Sequence, residues 1–440
     1  MARQTGPVPA PARLRWVMWG IPALLFLIAF FHRVAPGVIA KDLMKAFHAT
    51  GAIVGLLSST YFYAYAGLMI PAGLLIDAFG VRRVVAAGGA VMGMGTLAMG
   101  MAASSAPLFA GRFAVGLGAT VTFIGTLKIA ATWFPPSHFG TLSAITATVG
   151  ILGSLVGTYP LASLVALTGW RGAFWLIGLG TVALALLCFA VVRDRPPASA
   201  EAATPFPALH HVARGTLEVL ANPHTWPPFL AFFCLYAAMG NVMLWAVPYL
   251  RDVYGLSTTH AALYATATSL ALLFSGPLTG FLSDRVVKRR KLPYTVLTAC
   301  SFALWLLFVV TLGALPLGGV YALFFAMGVV GGAFVLTWPL GREVNPPHLA
   351  GIAVAVVNLG GFLGAALTQG PLGAVLDARW AGLTLDGARV YPLGAYRAAF
   401  GLCALFVLAA LVTTFFFRET EGRNIYDRLE RRGWQAGRAR

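Results

Sequence analysis

The sequence predicts an all-α membrane protein with twelve transmembrane helices arranged as two pseudo-symmetric six-helix bundles. Three observations carry this: the apolar share of the chain, the division of that share into long runs, and an internal repeat. Of 440 residues, 59% are hydrophobic and 10% charged, and the mean hydropathy is +0.80. A soluble chain of this length carries about 25% charged residues and splits into several domains. So much apolar surface finds a place away from water only in lipid.

One bilayer crossing by a helix takes about 20 apolar residues. The first such run is Trp16–Ile39, and others lie near 52–76, 84–104, 108–133, 139–167, 173–192, 227–250, 260–283, 293–315, 319–341, 350–376 and 396–417. Barrel strands would be about ten residues long with period-two alternation, a pattern absent from these runs. The first run is long, contains Arg33 and is followed by no small-residue cleavage pattern. It therefore reads as a retained span and not as a signal peptide.

The formal charge of +17 follows the topology. With both termini on one side, 21 of the 31 Lys and Arg fall on that side, 7 on the other and three within spans (Arg33, Arg112 and Lys128). The positive-inside rule then puts both termini in the cytoplasm of a plasma membrane, the inner membrane if the cell is bacterial. Lipid explains the basic excess, and nucleic acid is not expected as a partner. All four cysteines (Cys188, Cys234, Cys300, Cys403) fall in apolar runs, as packed thiols with no disulfide framework.

The repeat relates the two halves. Residues 135–161 and 346–372 share nine identities in 27 positions at a constant offset of 211, among them Pro135/Pro346, Gly150/Gly361, Gly153/Gly364 and Pro160/Pro371. About two would be expected by chance. The fifth span thus corresponds to the eleventh. Likewise Trp170-Arg171-x-x-Phe174 opening the sixth span matches Tyr396-Arg397-x-x-Phe400 opening the twelfth. The expected organisation is an N-terminal bundle over 1–192, a cytoplasmic linker over 193–226, a C-terminal bundle over 227–417 and a basic tail over 418–440. Parallel repeats of this kind place a solute site at the repeat interface, near the membrane midplane. Within the linker, Leu209, Val212, Ala213, Thr216, Leu217 and Leu220 recur at helical spacing and predict a short amphipathic helix on the membrane surface. The adjacent His210 and His211 would point about 100° apart on that helix, which suits a solvated face better than a metal site.

Two loops carry a recognisable pattern. Gly73 to Arg83 reads GLLIDAFGVRR, and Gly280 to Arg290 echoes it as GFLSDRVVKRR. The fourth span contains Arg112-x-x-x-Gly116-x-Gly118. Together these resemble the signature elements of the major facilitator superfamily, in both halves and at the expected places. The resemblance implies an alternating-access transporter, with no enzymatic activity and no cofactor. It also implies that Asp77, with Arg82, Arg83 and Arg112, and Asp284, with Arg285, form conformational latches. The physical basis is plain: a carboxylate ending one helix can pair with arginine or face a neighbouring helix N-terminus, in one state and not the other.

An ionisable residue deep in a span is expensive unless paired or hydrated, and so marks function. Arg33 lies about 12 Å along the helix from Lys41, and Lys128 about 7 Å from the end of its span, at 1.5 Å per residue. The 14 Asp and Glu all fall in loops, tails or helix ends. A pocket with fixed cations and no fixed carboxylate attracts an anion; arginine offers a planar fork suited to carboxylate, lysine a point charge. His32-Arg33-Val-Ala-Pro36 also resembles the first span of the organic-anion branches of the superfamily, which include sugar-acid permeases and sugar-phosphate exchangers. That resemblance implies that Arg33 binds the substrate, assisted by Lys128. The seventh span has no charge, so a monocarboxylate suits the single deep arginine better than a phosphate ester.

Neutral groups complete the expected pocket: Tyr61 and Tyr65 on one helix face, Tyr236, Asn241 and Trp245 in the seventh span, and Asn358 and Gln369 in the eleventh. Driving an anion into an inside-negative cell costs about 2.3 kcal/mol per 100 mV, so uptake needs a co-transported proton or an exchanged anion. His32 and Glu343 are the titratable candidates. The reading is a monomeric secondary transporter, a symporter or exchanger, of a small organic anion. Two alternatives stand beside it: an exporter of an amphipathic compound or a metal chelator such as a siderophore, and a transporter-like sensor. No metal-ligand spacing or nucleophile–base constellation is present in the loops.

Overall fold

Twelve crossings follow from where the apolar runs break. The computed structural model describes residues 12–196 and 209–429. Its helices are α1 (Ala12–Phe47), α2 (Gly51–Phe79), α3 (Val81–Met101), α4 (Ser105–Trp133), α5 (Phe139–Val156), α6 (Tyr159–Val191), α7 (Leu209–Ala221), α8 (Trp226–Tyr254), α9 (Thr258–Phe281), α10 (Lys291–Thr311), α11 (Leu317–Gly331), α12 (Thr337–Glu343), α13 (Ala350–Ala378) and α14 (Leu393–Phe415). A hairpin of β1 (Thr384–Leu385) and β2 (Ala388–Arg389) lies between α13 and α14.

Eleven stretches are long and apolar enough to cross a bilayer, and one of them, Phe139–Val191, runs for 53 residues. Gly169, at φ 70° and ψ 162°, divides α6. Residues up to Thr168 therefore finish the fifth span and Trp170–Val191 make the sixth. The tenth span joins α11 to α12 through a 3-10 turn at Gly332–Leu336. An even number of crossings puts the loops after α2, α4 and α9 and the described chain ends on one face, the basic face. The loops after α1, α3 and α13 lie on the other, the far face.

The first helix runs longer than its apolar run predicts. It continues past Ile39 to Phe47 and carries Lys41 on helix, where the sequence suggests loop. Lys41 is only 5% exposed and its ammonium meets Asp252, which removes the penalty that would otherwise end the buried segment there.

The chain groups into two compact units. Unit one holds the described residues of 1–35 and 63–206; unit two holds 36–62 and the described residues from 207 on. In unit one, α3 and α4 cross at a glycine pair: a Cβ on Gly95 would stand 2.6 Å from the Gly111 carbonyl oxygen, and one on Gly111 2.6 Å from that of Gly95. In lipid, where no water drives helices together, such contact between backbones supplies the packing energy. In unit two, Val219 and Leu220 of α7 pack with Phe229, Val356 and Val357, and Leu349 and Ile352 sit beside Gly215. The packed face of α7 is turned from the face its apolar spacing suggests, for Leu217 is 67% exposed.

Replacing Gly111 by Leu should lower the melting temperature in detergent by several degrees, since over-packing a tight crossing costs about 1–3 kcal/mol. Gly180→Ala, where the added Cβ meets nothing within 4 Å, should leave it unchanged.

Candidate functional site

Arg33 occupies the interior of α1 and is 9% exposed. Its guanidinium carbon lies 3.8 Å over the ring of Phe30, one turn earlier on the same helix, and 5.2 Å from the ring of Tyr65 on α2. Three-residue spacing brings Phe30 under the arginine. Aromatic faces favour the cation through the negative potential above the ring.

His32 is turned about 100° away around the helix and is fully buried. Its Nε2 lies 3.0 Å from Thr96 Oγ1, and that hydroxyl donates to the Met92 carbonyl, which makes Nε2 the donor. Phe31 and Phe174 flank the ring edge-on. The His32 carbonyl accepts from Arg112 Nη1 at 2.8 Å. Arg112, fully buried on α4, therefore fixes the backbone of α1 at the residue before Arg33. The arginine of the fourth-span element serves position here, with the glycine crossing beside it.

Lys128 lies elsewhere. Its ammonium meets Asp77 at 2.9 Å, and the two side chains are 47% and 41% exposed. The sequence sets Lys128 beside the substrate and pairs Asp77 with Arg82 or Arg83; in the structure the flexible lysine stem reaches the basic face and takes Asp77 itself. Arg82 donates its amide to Asp194 Oδ1 at 2.8 Å and its Nε to the Phe189 carbonyl at 2.6 Å. Arg83 is exposed, at the rim of an apolar trough lined by Leu75 and Phe79. Asp194 is a residue that sequence reasoning missed, because it sits in a charged run that reads as linker.

Unit two holds the remaining candidates. Tyr61 is buried edge-on against Phe62, whose ring in turn faces Tyr236 and Phe362. Asn241 donates to the Ala237 carbonyl and to Thr368 Oγ1 at 2.8 and 2.9 Å, and Gln369 donates to the Gly240 carbonyl at 3.1 Å. Asn241 Oδ1, Gln369 Oε1 and Trp245 Nε1 are buried without a hydrogen-bond partner among the described residues. Asn358 accepts from Trp338 Nε1 at 2.9 Å and ties α12 to α13.

At the basic face of this unit, Arg290 pairs with Asp284 and lies 3.3 Å from Glu343. Asp284 thus meets Arg290 and not Arg285, its sequence neighbour. Glu343, 2% exposed, also accepts from Thr420 Oγ1 at 2.5 Å, while Glu419 accepts from the amides of Arg290 and Lys291. The basic-face end of the tenth span and the chain after α14 are thereby joined.

Residues 23–369 match the family model of the Major Facilitator Superfamily. The chain belongs to the Major Facilitator Superfamily. It is a multi-pass membrane transporter, and not an enzyme, as the family and the relatives it matches are transporters. An uncharacterized transporter of Bacillus subtilis is 23% identical over 384 residues, covering 82% of this chain and 88% of its own length. A probable sulfoacetate transporter of Cupriavidus necator is 26% identical over 287 residues, 63% of this chain and 66% of its own. A probable galactarate/D-glucarate transporter of Bacillus subtilis is 24% identical over 423 residues, 85% of this chain and 88% of its own. Among solved structures, a bacterial homologue of the human lysosomal transporter Spinster shares the superfamily fold with a TM-score of 0.77 at 17% identity, over 92% of this chain and 97% of that one.

The two arginine and lysine environments predict different costs. Arg112→Gln strips a buried donor from the His32 carbonyl and should destabilise by roughly 3 kcal/mol or abolish folding. Lys128→Gln breaks an exposed pair and should cost less than about 1 kcal/mol. Thermal melting of purified variants checks both.

Proposed function

We propose that this transporter carries small organic anions of the carboxylate class, with Arg33 as the residue that holds the anion. The guanidinium of Arg33 carries the proposal: it is 9% exposed inside a span and stacked on Phe30 and against Tyr65. A guanidinium is the side chain whose fork matches a carboxylate or sulfonate, and charge-assisted bonds are strong in such a medium. The relatives support the same class, since sulfoacetate, galactarate and D-glucarate are all organic acid anions. Tyr65 shapes the arginine's other face. Lys128, engaged with Asp77, contributes to the conformational cycle and not to the anion. Tyr61, Tyr236, Asn241, Trp245 and Gln369 are the neutral candidates within unit two, whereas Asn358 braces Trp338.

Transport is compensated in charge, by a co-transported proton or an exchanged anion, because entry of a lone anion opposes an inside-negative potential by about 2.3 kcal/mol per 100 mV. The basic face lies in the cytoplasm of a bacterial inner membrane, following the Lys and Arg excess, and the chain acts as a monomer.

Two measurements test this reading. In a thermal-shift panel of carboxylates, sulfonates, sugar phosphates and neutral solutes, organic acids should stabilise the wild type and not Arg33→Gln. In proteoliposomes the same substitution should reduce their uptake about tenfold or more, the effect of losing one charge-assisted bond. If no anion distinguishes wild type from Arg33→Gln, the substrate class is wrong. For coupling, uptake is followed under an imposed pH gradient in His32→Gln and Glu343→Gln. Loss of the pH response in one variant assigns the proton to that residue; counterflow without any pH response assigns exchange.

A further inference from the structure

The turn of α1 that carries Arg33 is short of one of its own hydrogen bonds. Pro36 stands four residues after His32 and has no N–H to give, so the His32 carbonyl lacks its regular donor within the helix. Arg112 of α4 supplies one instead, with Nη1 2.8 Å from that oxygen. A helix missing a hydrogen bond at proline bends readily, and the side chain of the next residue swings with the bend. Anchors from outside α1 therefore decide where the Arg33 guanidinium lies. Arg112 is the first of them, and it holds the backbone.

The second anchor holds the side chain of the same residue. His32 Nε2 donates to Thr96 Oγ1 of α3 at 3.0 Å, because the proton of that hydroxyl is engaged with the Met92 carbonyl at 2.8 Å. Nδ1 of the ring is buried with no hydrogen-bond partner among the described residues. With the proton on Nε2, Nδ1 is a bare lone pair and the ring is neutral. A second proton would put an N–H where nothing accepts it, and a positive charge beside the Arg112 guanidinium. Of the elements packed around the ring, α4 presents Arg112, α3 presents Thr96 and α6 presents Phe174 edge-on. None of these three is a carboxylate that would favour an imidazolium.

We infer that Thr96 and His32 are positioning residues for the anion site: Thr96 holds His32 as a neutral Nε2–H donor, and this link fixes the turn from which Arg33 meets the solute. His32 keeps one protonation state and takes no part in proton coupling. The turn is tied on two sides, by its backbone to α4 and by its ring to α3. Precision of this kind matters, since a misplacement of about 1 Å at a working group can cost as much as a hundredfold. The inference rests on the reading of Arg33 as the residue that holds the anion.

Two measurements test it. In proteoliposomes, with D-glucarate and sulfoacetate as probes beside the other organic acids of the thermal-shift panel, Thr96→Val and His32→Leu should raise KM about tenfold, the effect of one lost hydrogen bond. Their kcat should stay within about twofold of wild type, as expected when binding alone is lost. The conservative variants should rescue KM: Thr96→Ser keeps the hydroxyl, and His32→Gln keeps a neutral N–H donor and with it the wild-type pH response. In the second measurement, the 15N spectrum of histidine-labelled wild type, with His32 assigned by its absence in His32→Gln, should show the neutral Nε2–H tautomer from about pH 5 to pH 8. That spectrum decides the matter even where Thr96→Val does not fold. An imidazolium signal from His32 in this range overturns the inference. So does a Thr96→Val protein with wild-type KM and only a lower melting temperature, while Arg33→Gln loses uptake; the anion reading then stands without it. If no organic acid distinguishes wild type from Arg33→Gln, the anion reading falls and this inference falls with it.

Discussion

Hydrocarbon solvates no charge and no bare peptide group, and that constraint organises every part of this chain. It confines the spans to helices and sets the partners of each ionisable residue. Arg112 is buried because a backbone carbonyl is available to it; Lys41 is buried because Asp252 is; Glu343 is buried against Arg290 and Thr420. Arg33 is of another kind, buried upon two aromatic faces. Aromatic faces lower the cost of a buried guanidinium as protein oxygen atoms lower it for the other cations.

The two halves share sequence elements without sharing their use. The carboxylate of the first glycine–aspartate loop pairs with a lysine of the fourth span, at an exposed site where an ion pair is worth little and breaks easily. Its counterpart Asp284 pairs with an arginine that also reaches Glu343, and Glu419 caps the same turn. Exposed single contacts suit an element that cycles; a connected network suits one that stays. The matched openings of the sixth and twelfth spans also use different residues, Arg171 in one and Tyr396 in the other. The first donates to the Ala102 carbonyl, the second to Asp252.

The fold was legible because its signal is long. Twenty-residue apolar runs, the 211-residue repeat and the asymmetry of Lys and Arg each integrate over many positions. The break at Gly169 sat inside the expected gap between 167 and 173. Pairings were less legible. Lys128 and Asp77 are 51 positions apart, and a flexible stem decides which carboxylate it meets. Asp252, Asp377 and Asp194 each lie at a span end or in a charged connector, where sequence alone cannot tell a solvated carboxylate from a helix cap. The hairpin had a local sign that went unread: Asp386-Gly387, both at positive φ, is the residue pair that a two-residue turn favours.

That hairpin has a consequence for how the gene can vary. Thr384 faces Arg389 and Leu385 faces Ala388, and this register fixes where the Arg389 carbonyl and guanidinium meet Lys41 and Asp377. One residue inserted or deleted there would turn each side chain to the opposite side of the ribbon. A surface connector that looks free to drift in length is therefore held to a fixed residue count, because it works as a ruler between the last two membrane helices.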